Sequence, residues 1–278
     1  MSDSASQWTG EEIKPRLGIS TAIYQKSTLG ARHIAEIREA GVSRIEISSI
    51  PGCFDYHNDS QVAEVLGECG KQGVKVVSVH GIIKLPYKSE WPEERELMMK
   101  ESLAAIRFAE EAGASIYVAH FGYNEHAKGV VTELLDQTDD CRIKLTTENM
   151  GAIPNYIPII DDINSERFGL TVDIGHPRDS DGVNPFVKKG RARQAMVECG
   201  DRLFHVHLHE TFDLDQKPDH RAPMHKDGII KWGEVFAALK DIGYTGELLF
   251  EDGRGENPKE WLRMTAEFPQ NFIRDYGC

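Results

Sequence analysis

Eight short β-branched runs recur along the chain, with stretches between them whose apolar residues repeat every three or four positions. The runs are RLGIS (16–20), SRIEISS (43–49), VKVVSVH (74–80), ASIYVAH (114–120), RIKLTTE (142–148), FGLTVDI (168–174), LFHVHL (203–208) and GELLFE (246–251). The helical patterns include ARHIAEIREAG (31–41), DSQVAEVLGECGKQG (59–73), ERELMMKESLAAIRFAEEAG (94–113) and WGEVFAALKDIG (232–243), with a shorter one near 129–139. Gly41, Gly73, Gly113 and Gly243 fall where those helices should end, as C-terminal caps do. Strand and helix alternating eight times, without a Gly-rich dinucleotide fingerprint, predict an α/β chain closed into a (β/α)8 TIM barrel rather than an open doubly wound sheet.

Such a barrel takes about 250 residues, so the 278 present accommodate one. Residues 15–278 are expected to form that single domain, after a polar N-terminal lead at 1–14 expected to be disordered. A formal charge of −13 and a pI near 5.3 disfavour general affinity for nucleic acid or anionic membranes. No apolar run approaches the roughly 18 to 20 residues of a membrane span. The five cysteines are odd in number, widely spaced and never in a CxxC arrangement, which argues against a disulfide framework or zinc knuckle and for reduced thiols in a cytoplasmic protein.

In a barrel the chemistry sits at the carboxyl ends of the strands. Glu148, Asp173, His207 and Glu251 close the last four runs, so three carboxylates and one imidazole are expected to converge on one divalent ion. Hard oxygen donors with a single nitrogen suit Mn2+ best, with Co2+, Mg2+ or Zn2+ as alternatives. Asp173 and His176, spaced D-x-x-H, should face one pocket, joined by His80 after the third strand and His120 after the fourth. His205, His207 and His209 alternate by two and share a face; His207 is taken as the ligand, the others as supporting residues.

These segments, TTEN, VDIGH, HVHLHE, DHRAPMHKDGIIKW and GYTGELLFED, resemble the xylose isomerase-like barrel superfamily, which includes sugar isomerases, ketose 3-epimerases, inosose dehydratases and AP endonucleases of family 2. The resemblance covers nearly the whole barrel. It implies Glu148, Asp173, His207 and Glu251 as metal ligands and His176 as a substrate contact.

The activity expected is a divalent-metal-dependent sugar isomerase or epimerase acting on a keto sugar or related polyol, with proton transfer through a metal-stabilised enediolate. Glu148 and Glu251 are the expected acid/base pair. If a hydroxyl lies β to the carbanion, the same first step leads to dehydration of a keto sugar or inosose. Ketose 3-epimerases typically carry Glu six residues beyond the first metal Glu and Arg six beyond the metal His, where this chain has Pro154 and Asp213. A free ketohexose is therefore not the expected substrate, while a broader keto sugar or cyclitol is. His80, His120, Arg178, Arg221 and Arg254 join His176 as expected substrate-binding residues, the arginines for a phosphate or carboxylate. The AP-endonuclease reading is the lesser alternative: the third metal of that set needs Asp-x-His, and Asp219 and His220 are adjacent. Nucleic acid and membrane partners are not expected. A homo-oligomer remains open, with Trp91 and Phe121 as candidates for an interface, a lid or the core.

Overall fold

The computed structural model describes residues 8–82, 91–212, 220–251 and 257–276. Its eight strands are β1 (Leu17–Ser20), β2 (Arg44–Ser48), β3 (Lys75–His80), β4 (Ile116–Ala119), β5 (Lys144–Glu148), β6 (Phe168–Asp173), β7 (Leu203–Leu208) and β8 (Leu248–Phe250), each inside a predicted run. All pair in parallel with their sequence neighbours, and β1 pairs with β8, so the sheet closes into a barrel. The α-helices are α1 (Gly10–Ile13), α2 (Ala31–Glu39), α3 (Asp59–Gln72), α4 (Pro92–Glu111), α5 (Glu125–Gln137), α6 (Ile157–Ile163), α7 (Arg191–Cys199), α8 (Trp232–Asp241) and α9 (Pro258–Tyr276). Gly41, Gly73, Gly113 and Gly243 follow α2, α3, α4 and α8 with φ of 91, 66, 72 and 71°, the left-handed geometry a helix C-terminus requires. Helix α5 starts four residues before the expected 129, because Asn124 caps the Ala127 N–H and Gly129 interrupts the apolar pattern of its first turns.

The main apolar core lies between the barrel and its helices, where Ile19, Ile45, Ile47, Val79, Leu145, Leu170, Val172 and Val206 are buried against residues such as Ile34, Ile106, Leu134 and Phe236. Phe121 belongs to this core, beside Tyr117 and Phe168, whereas Trp91 is 70% exposed just before α4. The barrel interior is unusually polar: Ser20, Glu46, Ser48, Ser78, Thr146, Thr171 and His205 are all buried. Paired hydroxyls account for part of it, with Ser20 and Ser48 2.8 Å apart and Thr146 and Thr171 2.6 Å apart.

Two irregularities in the ladder decide which residues point inward. Ile45 pairs with Val76 but Glu46 with Ser78, and Leu170 pairs with Leu203 but Thr171 with His205. One extra residue on β3 (Val77) and one on β7 (Phe204) therefore shift the alternation, because a one-residue slip exchanges the two faces. Ser78, His80, His205 and His207 are thereby directed into the barrel.

The expected disorder of the lead at 1–14 is corrected for residues 8–14. Trp8 is buried, donates its indole N–H to the Phe236 carbonyl at 2.6 Å and lies under the Arg16 guanidinium, while Thr9 and Glu12 form a reciprocal cap on α1. A tryptophan within a polar segment supplies apolar area enough to dock it. Cys53, Cys69, Cys141 and Cys199 are buried free thiols. Among the described residues no helix is long and apolar enough to cross a membrane.

Candidate metal centre

Glu148 and Asp173 end β5 and β6, His207 lies next to last in β7, and Glu251 directly follows β8. All four are buried, and one donor atom from each lies within 4.8 Å of the others. The His207 Nδ1 sits 3.2 Å from Glu251 Oε2 and 3.6 Å from Glu148 Oε1. Those three atoms are buried and, in this arrangement, lack a hydrogen-bond partner. Buried polar atoms are normally paired, so an orphaned trio aimed at one spot marks a position suited to a cation.

The second oxygen of Glu148 and the Asp173 carboxylate have partners within the chain. Glu148 Oε2 accepts from His80 Nε2 and His120 Nε2, each at 3.0 Å. Asp173 Oδ1 accepts the N–H of Gly175 at 2.7 Å and that of His176 at 3.1 Å, and the carboxylate also faces His209 Nε2 at 2.7 Å and His176 Nδ1 at 3.0 Å. Asn149, the last residue of TTEN, fixes the two strand ends relative to each other: its amide accepts the Asp173 N–H at 2.9 Å and donates to the Asp173 carbonyl at 3.2 Å. Asn184 holds the following turn through the carbonyls of Ile174 and Gly175. Gly175 is required there, since a Cβ would stand 1.9 Å from the His209 ring.

Burial opposes ionisation of Glu148, but the imidazoles of His120 and His207 hold it well below the ordinary carboxylate range. Asp173 is likewise held low against burial, by His176 and His209. Burial works against protonation of His80, yet the hydrogen bond to Glu148 and the surrounding carboxylates raise it to about 9. His205 goes the other way, pushed down to about 3 by burial and by His207, and His220 falls to about 4 through burial and His209. The carboxylates thus favour protonation of His80, His176 and His207, while burial disfavours it at His205 and His220.

His80, His120 and His176 therefore join the expected ligands at one place. His120, His176 and His220 are the partly accessible members, with side chains 17, 9 and 22% exposed, and line the open side. His220 stacks on His209 with ring centroids 4.3 Å apart, which completes a second group of close donors, Asp173, His176, His209 and His220. Arg178 turns back onto its own loop: one guanidinium nitrogen donates to the carbonyls of Gly175, His176 and Pro177, the other to the Thr211 hydroxyl. These bonds hold Arg178, an expected anion contact, against the turn that follows Asp173. Arg221 is placed by a backbone bridge to Glu210, and Arg254 lies outside the described residues. Pro154 stands in a 3-10 turn after β5.

Two residues absent from the sequence reasoning are prominent. Glu46, buried on β2, accepts from Ser78 Oγ at 2.9 Å and faces His207 Nε2 at 3.1 Å; an acid between two isoleucines in SRIEISS was the available signal. Glu210 pins the segment after β7 by accepting the N–H groups of Met224 and Ile230 and the indole of Trp232, and burial pushes it up to about 7. No local pattern marks it.

The family model described as a xylose isomerase-like TIM barrel matches residues 34–272. The chain belongs to that family. D-psicose 3-epimerase of Enterocloster bolteae is 21% identical over 87% of this chain and 85% of its own. An uncharacterised protein of Methanocaldococcus jannaschii is 30% identical over 178 residues, 57% of either chain, so this chain spans little more than half the length of that relative. The crystal structure of D-psicose 3-epimerase with D-tagatose from Clostridium cellulolyticum H10 superposes with a TM-score of 0.71 at 17% identity, over 94% of this chain and 99% of that one.

Proposed function

We propose that this chain is a divalent-metal-dependent sugar isomerase or epimerase, acting on a keto sugar or related polyol by moving a proton beside the carbonyl. The observation that carries the reading is the orphaned trio Glu148 Oε1, His207 Nδ1 and Glu251 Oε2, gathered within 4.8 Å together with Asp173. These four residues would hold the ion, and their oxygen-rich donor set favours Mn2+, with Co2+, Mg2+ or Zn2+ as alternatives. When bound, the ion supplies positive charge to the carbonyl oxygen and its neighbouring hydroxyl, acidifying the C–H beside them. Similarity to a D-psicose 3-epimerase supports the sugar class.

Glu148 and Glu251 flank His207 Nδ1 and form the acid/base pair. The two N–H groups on Glu148 Oε2 stabilise its ionised form and make it the weaker base. Glu251 is therefore assigned the first abstraction. Glu148 returns a proton, with His80 behind it as the source, while His120 bonds the same oxygen and His176 contacts the substrate at the open side. The enzyme is proposed to act in the cytoplasm on a small sugar or cyclitol, alone or as a homo-oligomer.

The test is deuterium incorporation by NMR, with the protein loaded in turn with each of the four ions and incubated in D2O with ketoses, ketose phosphates and inososes. Exchange beside the carbonyl is expected, and loss of water from the product would assign dehydration instead. Absence of exchange with every ion and substrate would overturn the proposal. The histidine groups on either side, His80–His120–Glu148 and Asp173–His176–His209–His220, favour a second reading, metal-dependent phosphodiester hydrolysis. Cleavage of an abasic duplex with Zn2+ present would select it.

A further inference from the structure

Glu46 lies at the floor of the centre and is itself outside the proposed ligand set. It is completely buried on β2 and reaches across the barrel to His207 on β7, its Oε2 3.1 Å from Nε2 of that imidazole. Its ladder partners on either side are Ser20 and Ser78, small inward residues that leave the carboxylate room to span the interior. Ser78 Oγ donates to the same oxygen at 2.9 Å.

Both irregularities of the barrel ladder occur at this level, between Ile45 and Glu46 against β3 and between Leu170 and Thr171 against β7. Extra residues inserted in strands re-aim side chains and concentrate near functional sites. Here one insertion directs Ser78 towards Glu46 and the other directs His207 towards it. Four strands are thus adjusted around one carboxylate, although an ionised group in a closed core is costly unless it is paired.

The opposite nitrogen of His207, Nδ1, is the orphaned one that faces Glu148 and Glu251. An imidazole that binds a cation through one nitrogen carries its proton on the other, and an acceptor there fixes tautomer and ring orientation while making the ring a stronger donor. We infer that Glu46 is a positioning residue that holds the proton of His207 on Nε2 and thereby presents Nδ1 to the cation. This rests on the proposal that Glu148, Asp173, His207 and Glu251 hold that cation. His205, 3.8 Å from the same carboxylate oxygen with both ring nitrogens unpartnered, fills the floor beside the pair and does not compete for the hydrogen bond.

The experiment compares wild-type protein with Glu46→Gln, using Mn2+ alone and reading the free ion by electron paramagnetic resonance. Outer hydrogen-bond partners of metal-bound histidines typically contribute about 10- to 100-fold in affinity, and a loss of that size is expected for Glu46→Gln. A dissociation constant within about twofold of wild type would overturn the inference. Because Glu46→Gln removes a buried charge and risks misfolding, the wild-type protein provides a second readout, the 15N spectrum of its histidine rings with Zn2+ bound. The proton of His207 is expected on Nε2, with Nδ1 unprotonated; a proton on Nδ1 would overturn the inference even if the variant does not fold. Should wild-type protein bind neither ion, the ligand set itself fails and this inference with it, an outcome distinct from tight wild-type binding that Glu46→Gln leaves intact.

Discussion

Replacing Gly175 with alanine tests the packing behind the candidate metal centre. The added Cβ would lie 1.9 Å from Cε1, 2.3 Å from Nδ1 and 2.6 Å from Nε2 of His209, so the ring has to move. Its movement breaks the contact of His209 Nε2 with Asp173 at 2.7 Å and that of Nδ1 with the Glu210 carbonyl at 2.8 Å. Loss of a hydrogen bond to a charged group costs about 1.5–3 kcal/mol, and overpacking a core about 1–3 kcal/mol. Because either response relieves part of the other, the net expectation is roughly 2–4 kcal/mol. Unfolding entropy of about 2.1 cal/mol/K per residue gives roughly 0.6 kcal/mol/K for a chain of this length, so the midpoint should fall by about 3–7 °C. Gly129→Ala is the control: nothing lies within 4 Å of its added Cβ in α5, and removing a helical glycine should raise the midpoint by about 1–2 °C. Calorimetry of the cation-free proteins measures both. A Gly175→Ala midpoint indistinguishable from wild type would refute the argument that His209 is locked over this turn.

Two further outcomes follow from residues outside the four proposed ligands. Trp8→Ala removes a buried aromatic, its hydrogen bond to Phe236 and its contact with Arg16, and should cost about 3–5 kcal/mol in a denaturant titration; an unchanged midpoint would mean that the N-terminal segment does not dock. Glu210, pushed by burial from 4.5 to about 7, binds a proton in the folded chain that the unfolded chain has released. Its contribution is complete below about pH 4.5 and is lost as pH rises through about 7, so wild-type stability should fall relative to Glu210→Gln by roughly 3 kcal/mol across that window. Parallel pH profiles for the two proteins would contradict the assigned environment.

The strands and the convergence of the four strand-end side chains were legible because both depend on local pattern. Period-two runs such as FHVHLHE reveal which residues share a face, and a closed parallel sheet brings the strand ends together whatever the loops do. Glu46 was harder to read because its meaning depends on His207, 161 positions away, and on an inserted residue in β3 that no propensity reveals. Arg178 shows what else the sequence left unread. Its place beside His176 suggested an anion contact, while its bonds to the carbonyls of its own turn depend on a loop path that no pattern marks. The role of Glu210 arises from a long connection whose path was not encoded in any repeating pattern. Trp8 was legible in principle, as a large apolar residue in a polar lead, but its partner Phe236 comes from the far end of the chain.

The most direct test of the central claim is anomalous diffraction from crystals grown with Mn2+. One strong peak per chain is expected, in contact with Glu148, Asp173, His207 and Glu251. Peaks confined to the His80–His120 or His176–His209–His220 groups, or no peak under conditions where solution binding is saturated, would contradict it.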